Sequence, residues 1–105
     1  MVHTVTTQSE FDNIIDIHHS LVVVDAYASW CGPCKTLAPK LDAMESKYKN
    51  VLFIKIDVEE VSTFADEYEV TAMPTIIFIK NGKEVDRVIG ANEAQIIKCI
   101  EKHTE

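Results

Sequence analysis

The sequence is poor in basic side chains: 10 Lys and Arg stand against 17 Asp and Glu, a formal net charge of −7. Nucleic acid and anionic membrane surfaces both require concentrated Lys and Arg, so neither is expected as a partner. No apolar stretch approaches the roughly 20 residues that span a bilayer. The start, MVHTVTTQSEFD, lacks the basic and apolar regions of a secretory signal, and the end, CIEKHTE, is neither a retention signal nor a prenylation box. A cytoplasmic protein is the expectation. There are only three cysteines. Cytosolic thiols are kept reduced, so a close pair points to reactive or metal-bound sulfur before a structural staple. Linkers, internal repeats and low-complexity segments are lacking too.

What the chain has in quantity is apolar surface. At 47% apolar over 105 residues it can bury a core without several disulfides, and residues 1–105 read as a single domain. Thr7 to Glu10, TQSE, has the spacing of a helix capping box, and Phe11, Ile14, Ile15 and His18 follow at helical intervals. Leu21 to Ala28 is too continuously apolar for a one-sided strand and reads as a central strand covered on both faces. Leu37, Leu41, Met44 and Tyr48 line a long second helix, which Pro39 is expected to bend. Val51 to Val58 is a second buried strand, and Val61, Phe64, Ala65 and Tyr68 mark a short third helix. TIIFIK and EVDRVI flank Asn81-Gly82, the signature of a tight hairpin, and Asn92 to Gln95 can cap a last helix bearing Ile96, Ile97 and Ile100. The pattern predicts an α/β domain with a mixed sheet and helices on both faces.

The segment YASWCGPCK, Tyr27 to Lys35, seats two cysteines where a strand gives way to a helix. Cysteines in this spacing at a helix start lie close enough to close a small disulfide ring. Free N–H groups and the helix dipole favour the thiolate of Cys31, which is expected to be the nucleophile. Cys34, one turn further in and less exposed, is placed to resolve the mixed disulfide that Cys31 forms with a substrate. Pro33 suits the first helical turn and stiffens the link between the sulfurs, and Gly32 adds no bulk where a partner chain must approach. Two other readings stand beside this one. A zinc site needs two more ligands, and Cys99, His3, His18, His19 and His103 are scattered out of ligand spacing, so no metal is expected. A purely structural disulfide fits a reducing compartment poorly.

WCGPC with VVVDAYAS before it, MPT at Met73 to Thr75, KNG at Lys80 to Gly82 and GAN at Gly90 to Asn92 together resemble the thioredoxin family, in order and over the whole length. MPT and GAN are closer to its eukaryotic cytosolic members. The resemblance implies a thioredoxin fold, a five-stranded mixed β-sheet flanked by four α-helices. It implies a protein-disulfide reductase, cycling between the Cys31/Cys34 dithiol and a redox-active Cys31–Cys34 disulfide, with no bound cofactor. It also implies recycling by an NADPH-dependent thioredoxin reductase. By the same analogy the protein is a monomer, and its clients are peroxiredoxins, methionine sulfoxide reductases and ribonucleotide reductase.

Around the cysteines, residue chemistry and resemblance divide the work. Asp25 ends the apolar strand; burial would raise its pKa toward the range useful for proton transfer, whereas a solvent-facing strand end would leave it ordinary. The resemblance implies a buried Asp25 that serves as general base toward Cys34. Lys55 interrupts FIKI and either snorkels to water or, as in the family, lies near that Asp. Pro74 alone predicts a trans bond; the resemblance implies a cis proline beside the sulfurs, with Met73 offering main-chain groups to an extended substrate. Trp30 could be core, but beside a reactive thiol it fits a contact surface with Met73, Gly90 and Ala91. Ala26 and Ile76 stand where the family often has aromatics. Glu59 replaces an Asp that commonly bonds the tryptophan in the family, so the resemblance leaves the Trp30 contact open. Cys99 reads as a semi-buried inert thiol rather than a regulatory one.

A disulfide oxidase or isomerase of a secretory compartment would need a signal sequence and usually a different central pair, such as Gly-His. A binding module with incidental thiols would keep its function without Cys31.

Overall fold

The computed structural model describes residues 1–105. In chain order the elements are β1 (His3–Val5), α1 (Gln8–Ile17), β2 (Val22–Tyr27), α2 (Gly32–Lys47), β3 (Leu52–Asp57), α3 (Ser62–Glu67), β4 (Thr75–Lys80), β5 (Lys83–Ile89) and α4 (Glu93–Lys102). One sheet holds the strands in the order β1-β3-β2-β4-β5. β1 and β2 run parallel to β3; β4 runs antiparallel to β2 and to β5. This is the five-stranded mixed sheet with four helices that the resemblance implies. No helix is long and apolar enough to cross a membrane.

Alternation along the strands decides which helices lie on which face. Val22, Val24 and Ala26 of β2 join Ile54, Ile56, Ile77 and Ile79 against Phe11 of α1 and Phe64 of α3. Phe11, Phe64 and Tyr68 interlock as edge-on and stacked rings with centroids 4.9 to 5.6 Å apart. On the other face Leu21, Val23, Phe53, Ile76 and Phe78 meet Leu37, Leu41 and Met44 of α2 and Ile96, Cys99 and Ile100 of α4. Asp25, Tyr27 and Lys55 share the parity of Val23 and Phe53, which directs them to the α2 side. The same parity rule therefore builds the core and aims the site.

Thr7 is the N-cap of α1, its hydroxyl oxygen accepting the Glu10 N–H at 3.1 Å. The reciprocal bond of a full capping box is displaced by one residue, because the Glu10 carboxylate accepts from Thr6 N–H at 3.3 Å. Thr7→Ala is expected to lower unfolding stability by about 1 kcal/mol without altering redox activity, as read by denaturant titration. His18, placed by its spacing on the helix face, instead lies just past the C-terminus and is exposed. Helix α2 continues through an exposed Pro39 to Lys47, so the proline neither ends nor divides it. The hairpin turn is as its residues require, with φ of 54° at Asn81 and 76° at Gly82.

The two chain ends lie at one pole. β1 enters the sheet with His3 opposite Ile54, level with Val24 midway along β2, and the Met1 ammonium before it pairs with Glu45 in the last turn of α2 at 3.1 Å, whereas the cysteines follow the far end of β2. At the other end of the chain, the His103 carbonyl accepts from Lys80 Nζ at 3.0 Å, where β4 has run back away from Pro74.

Candidate functional site

The end of β2 leads through Ala28 and Trp30 to Cys31, whose N–H donates to the Ala28 carbonyl at 3.1 Å. Cys31 is the N-cap of α2, with Gly32 and Pro33 filling the first helical positions. A proline there removes no hydrogen bond, since the first N–H groups of a helix have no partner inside it. Cys31 and Cys34 are joined as a disulfide with their Cα atoms 5.3 Å apart. The Cys34 N–H donates to Cys31 Sγ at 3.2 Å. One sulfur thus sits on the positive end of a 16-residue helix and receives a main-chain donor.

Exposure does not separate the two cysteines as expected. Cys31 is 4% exposed and Cys34 5%. The spacing argument placed Cys31 outside and Cys34 inside, but the N-cap turn folds Cys31 back against Ala28, Tyr27, Val58 and Met73. Direction separates them instead. Cys31 faces the Met73 carbonyl oxygen, 3.6 Å from its sulfur. Cys34 lines a cavity of about 240 Å³ shared with Asp25, Lys55, Tyr27, Lys35 and Ala38.

Asp25 is 4% exposed, and its Oδ1 has no hydrogen-bond partner. Burial pushes its pKa up to about 7, and the positive charge of Lys55 opposes the rise. Lys55 faces Asp25 directly across the β2–β3 register. The strand-end alternative, a solvated Asp25, does not hold: the first turns of α2 cover it, and Ala38 is small enough to leave the cavity beside it.

The Met73–Pro74 bond is cis and Pro74 is buried. The Pro74 carbonyl accepts the Gly90 N–H at 2.8 Å, and Gly90 has φ of 101°, which an L side chain rarely adopts. MPT and GAN are thereby hydrogen-bonded to each other next to the cysteines. Trp30 is 63% exposed and not core, and its Nε1–H donates to Glu59 Oε2 at 3.1 Å. The Asp-to-Glu change keeps the contact, because the longer carboxylate still reaches the indole. Residue reasoning missed Ile89, 66% exposed at the end of β5 and next to Gly90. The available signal was an apolar side chain at the outward position of an edge strand, following inward Val88.

Cys99 is more deeply placed than expected, 8% exposed on the inner face of α4, and burial followed by the nearby Asp86 charge raises its thiol pKa. Asp86 is also held by His103 at 3.1 Å. Nowhere do three or more His, Cys, Asp or Glu side chains converge in a ligand geometry.

The thioredoxin family model matches residues 2–102. Thioredoxin-2 of Saccharomyces cerevisiae is 48% identical over 100 residues, covering 95% of this chain and 96% of that one. The X-ray structure of Fasciola hepatica thioredoxin superposes with a TM-score of 0.95 at 42% identity, over 98% of this chain and all of its own. A chain solved in work on thiol resolution in yeast mitochondrial 1-Cys peroxiredoxin by glutathione and thioredoxin systems gives a TM-score of 0.90 at 40% identity. It covers 96% of this chain and 94% of its own. With the match running nearly end to end and the C-x-x-C pair closed as a disulfide at the start of α2, the chain belongs to the thioredoxin family of protein-disulfide reductases.

Proposed function

We propose that Cys31 is the attacking sulfur, Cys34 the resolving one and Asp25 the group that exchanges a proton with Cys34. The Cys31 thiolate attacks a substrate disulfide; that S–S bond breaks, and the departing thiolate takes a proton. The Cys34 thiol then passes its proton to Asp25 and attacks Cys31 Sγ. The mixed disulfide breaks, the second substrate thiol leaves, and two electrons have moved from the dithiol to the client. One observation carries this reading: an ionisable carboxyl without a hydrogen-bond partner lines the same cavity as Cys34. Its pKa near 7 suits a proton that must be both taken and returned.

Lys55 sits in this scheme as the charge beside Asp25. Gly32 and Pro33 set the stiffness of the ring. Trp30, Met73, Pro74, Gly90 and Ala91 form the docking surface, to which we add Ile89, and the Met73 main chain pairs with an extended client strand. The dithiol is restored by an NADPH-dependent thioredoxin reductase, and the chain itself carries no cofactor. Clients of the peroxiredoxin, methionine sulfoxide reductase and ribonucleotide reductase types fit this chemistry. The peroxiredoxin work among the solved relatives supports the first of these. A cytoplasmic monomer is the setting proposed.

Cys34→Ser tests the order of attack. This variant is expected to accumulate stable mixed disulfides through Cys31 with a peroxiredoxin disulfide, seen as a dithiol-sensitive band on non-reducing gels. No adduct in Cys34→Ser, with adducts through Cys34 accumulating instead in Cys31→Ser, would reverse the assignment.

A further inference from the structure

Lys55 occupies its place beside Asp25 without the usual restraints. Every ion pair of the molecule lies elsewhere, at the Met1 ammonium, His3, Lys40, Arg87, Lys102 and His103. A four-carbon ammonium side chain carries substantial rotamer entropy and favours water. What lies under the Lys55 Nζ is the ring of Tyr27, 6.0 Å from its centroid. That distance is at the outer edge of an effective cation–π contact, which gains strength when the pair is partly removed from water. Tyr27 is half-buried and lines the cavity with Asp25, Cys34 and Lys55. It also packs against the cluster of Ala28, Cys31 and Cys34.

Strand geometry explains the trio. Asp25 and Tyr27 are two apart on β2 and so point to one face, and Lys55 stands opposite Asp25 on β3. An opposite residue and its diagonal neighbour are both within reach of a long side chain. Lys55 is therefore shared between a carboxyl and an aromatic face.

We infer that Tyr27 is a positioning residue: its ring holds the Lys55 ammonium beside the Asp25 carboxyl and so adjusts how readily that carboxyl accepts the proton of Cys34. The inference rests on the proton-exchange role proposed above for Asp25. The other charged or titratable groups around this assembly are Lys35 and Cys34 on α2, Asp57 on β3 and Glu60 just beyond it. Asp57 and Glu60 are acidic and act on the Tyr27 hydroxyl, raising its pKa after burial itself has done so. The ring therefore stays neutral, and its face stays available to the ammonium.

The oxidised protein allows the inference to be tested without a thiol competing for the proton. Asp25 is titrated by carboxyl carbon NMR in wild type, Tyr27→Leu, Tyr27→Phe, Lys55→Met and the Tyr27→Leu/Lys55→Met double variant. Leucine keeps an apolar cover but has no π face. Tyr27→Leu is expected to raise the Asp25 midpoint by roughly half a pH unit, about threefold in the proton equilibrium. Tyr27→Phe is expected to titrate as wild type, and Tyr27→Leu is expected to add nothing once Lys55 is Met. A Tyr27→Leu midpoint equal to wild type would overturn the inference. So would a shift that persists undiminished without Lys55, or a shift of equal size in Tyr27→Phe.

Should Tyr27→Leu fail to fold, the ring-current shift of the Lys55 ε-protons in wild type decides: an upfield displacement relative to the denatured protein is expected, and unshifted protons contradict it. None of these readings depends on Asp25 serving as a base. Failure here is thus separable from failure of the proton-exchange role, which the reductase activity of Asp25→Asn reports.

Discussion

Cys31→Ser is expected to reduce disulfide turnover to the level of a blank without protein, measured as insulin reduction or as NADPH consumption coupled to a thioredoxin reductase. In the proposed mechanism the Cys31 thiolate is favoured by two features that face its sulfur, the Cys34 N–H at 3.2 Å and the start of α2. A serine hydroxyl in the same place keeps its proton, because its pKa lies far beyond what a helix terminus can shift, and oxygen cannot form the mixed disulfide. The fold should be unaffected. The N-cap position accepts serine well, and the hydroxyl oxygen can receive the same Cys34 N–H. Loss of activity in a fully folded protein would therefore isolate the chemistry. A variant that retained its cellular function while losing insulin reduction would show instead that the domain serves by binding.

Asp25→Asn is expected to have two opposite effects, both large. Turnover at the resolution step should fall by roughly a hundredfold, the typical contribution of a positioned general acid or base. Stability should rise. The folded protein holds the Asp25 pKa near 7, above its ordinary value, so between these values the folded state binds more proton than the unfolded one. Stability in wild type is therefore fully present below about pH 4 and is lost progressively as pH rises toward about 7. The corresponding cost, at about pH 8, is on the order of 4 kcal/mol. Denaturant titrations of the oxidised proteins should show Asp25→Asn more stable than wild type at about pH 8 and similar to it near about pH 4. Equal stability at the higher pH would mean that Asp25 is solvated and ordinary.

Much of this architecture could be read from the residues. The long helix α2 and the buried runs in β2, β3 and β4 follow from apolar periodicity, and Asn81-Gly82 supplies its own turn chemistry. The cysteine pair, Cys31 at the N-cap and Pro33 in the first turn follow from helix-end physics. Other features needed tertiary context. β1 is three residues long with only Val5 buried, too brief for a period of two to register, and only the resemblance implied a fifth strand. The cis bond at Pro74 runs against the general preference for trans, so local sequence cannot announce it. The equal burial of Cys31 and Cys34 depends on Val58 and Met73, brought in from distant segments. The burial of Asp25, which lies inside β2 and not at its end, depends on Cys34, Lys35 and Ala38 of α2 lying over it; a strand pattern alone does not say which face a helix will cover.

Both chain ends emerge at the pole opposite the sulfurs, on the evidence of the Met1 ammonium against Glu45 in the last turn of α2 and Lys80 against the His103 carbonyl. A reporter, an affinity handle or a neighbouring module joined at either end is thereby kept away from incoming clients. A domain wired in this way can be strung in tandem or anchored to a support with every copy still presenting its reactive tip outward.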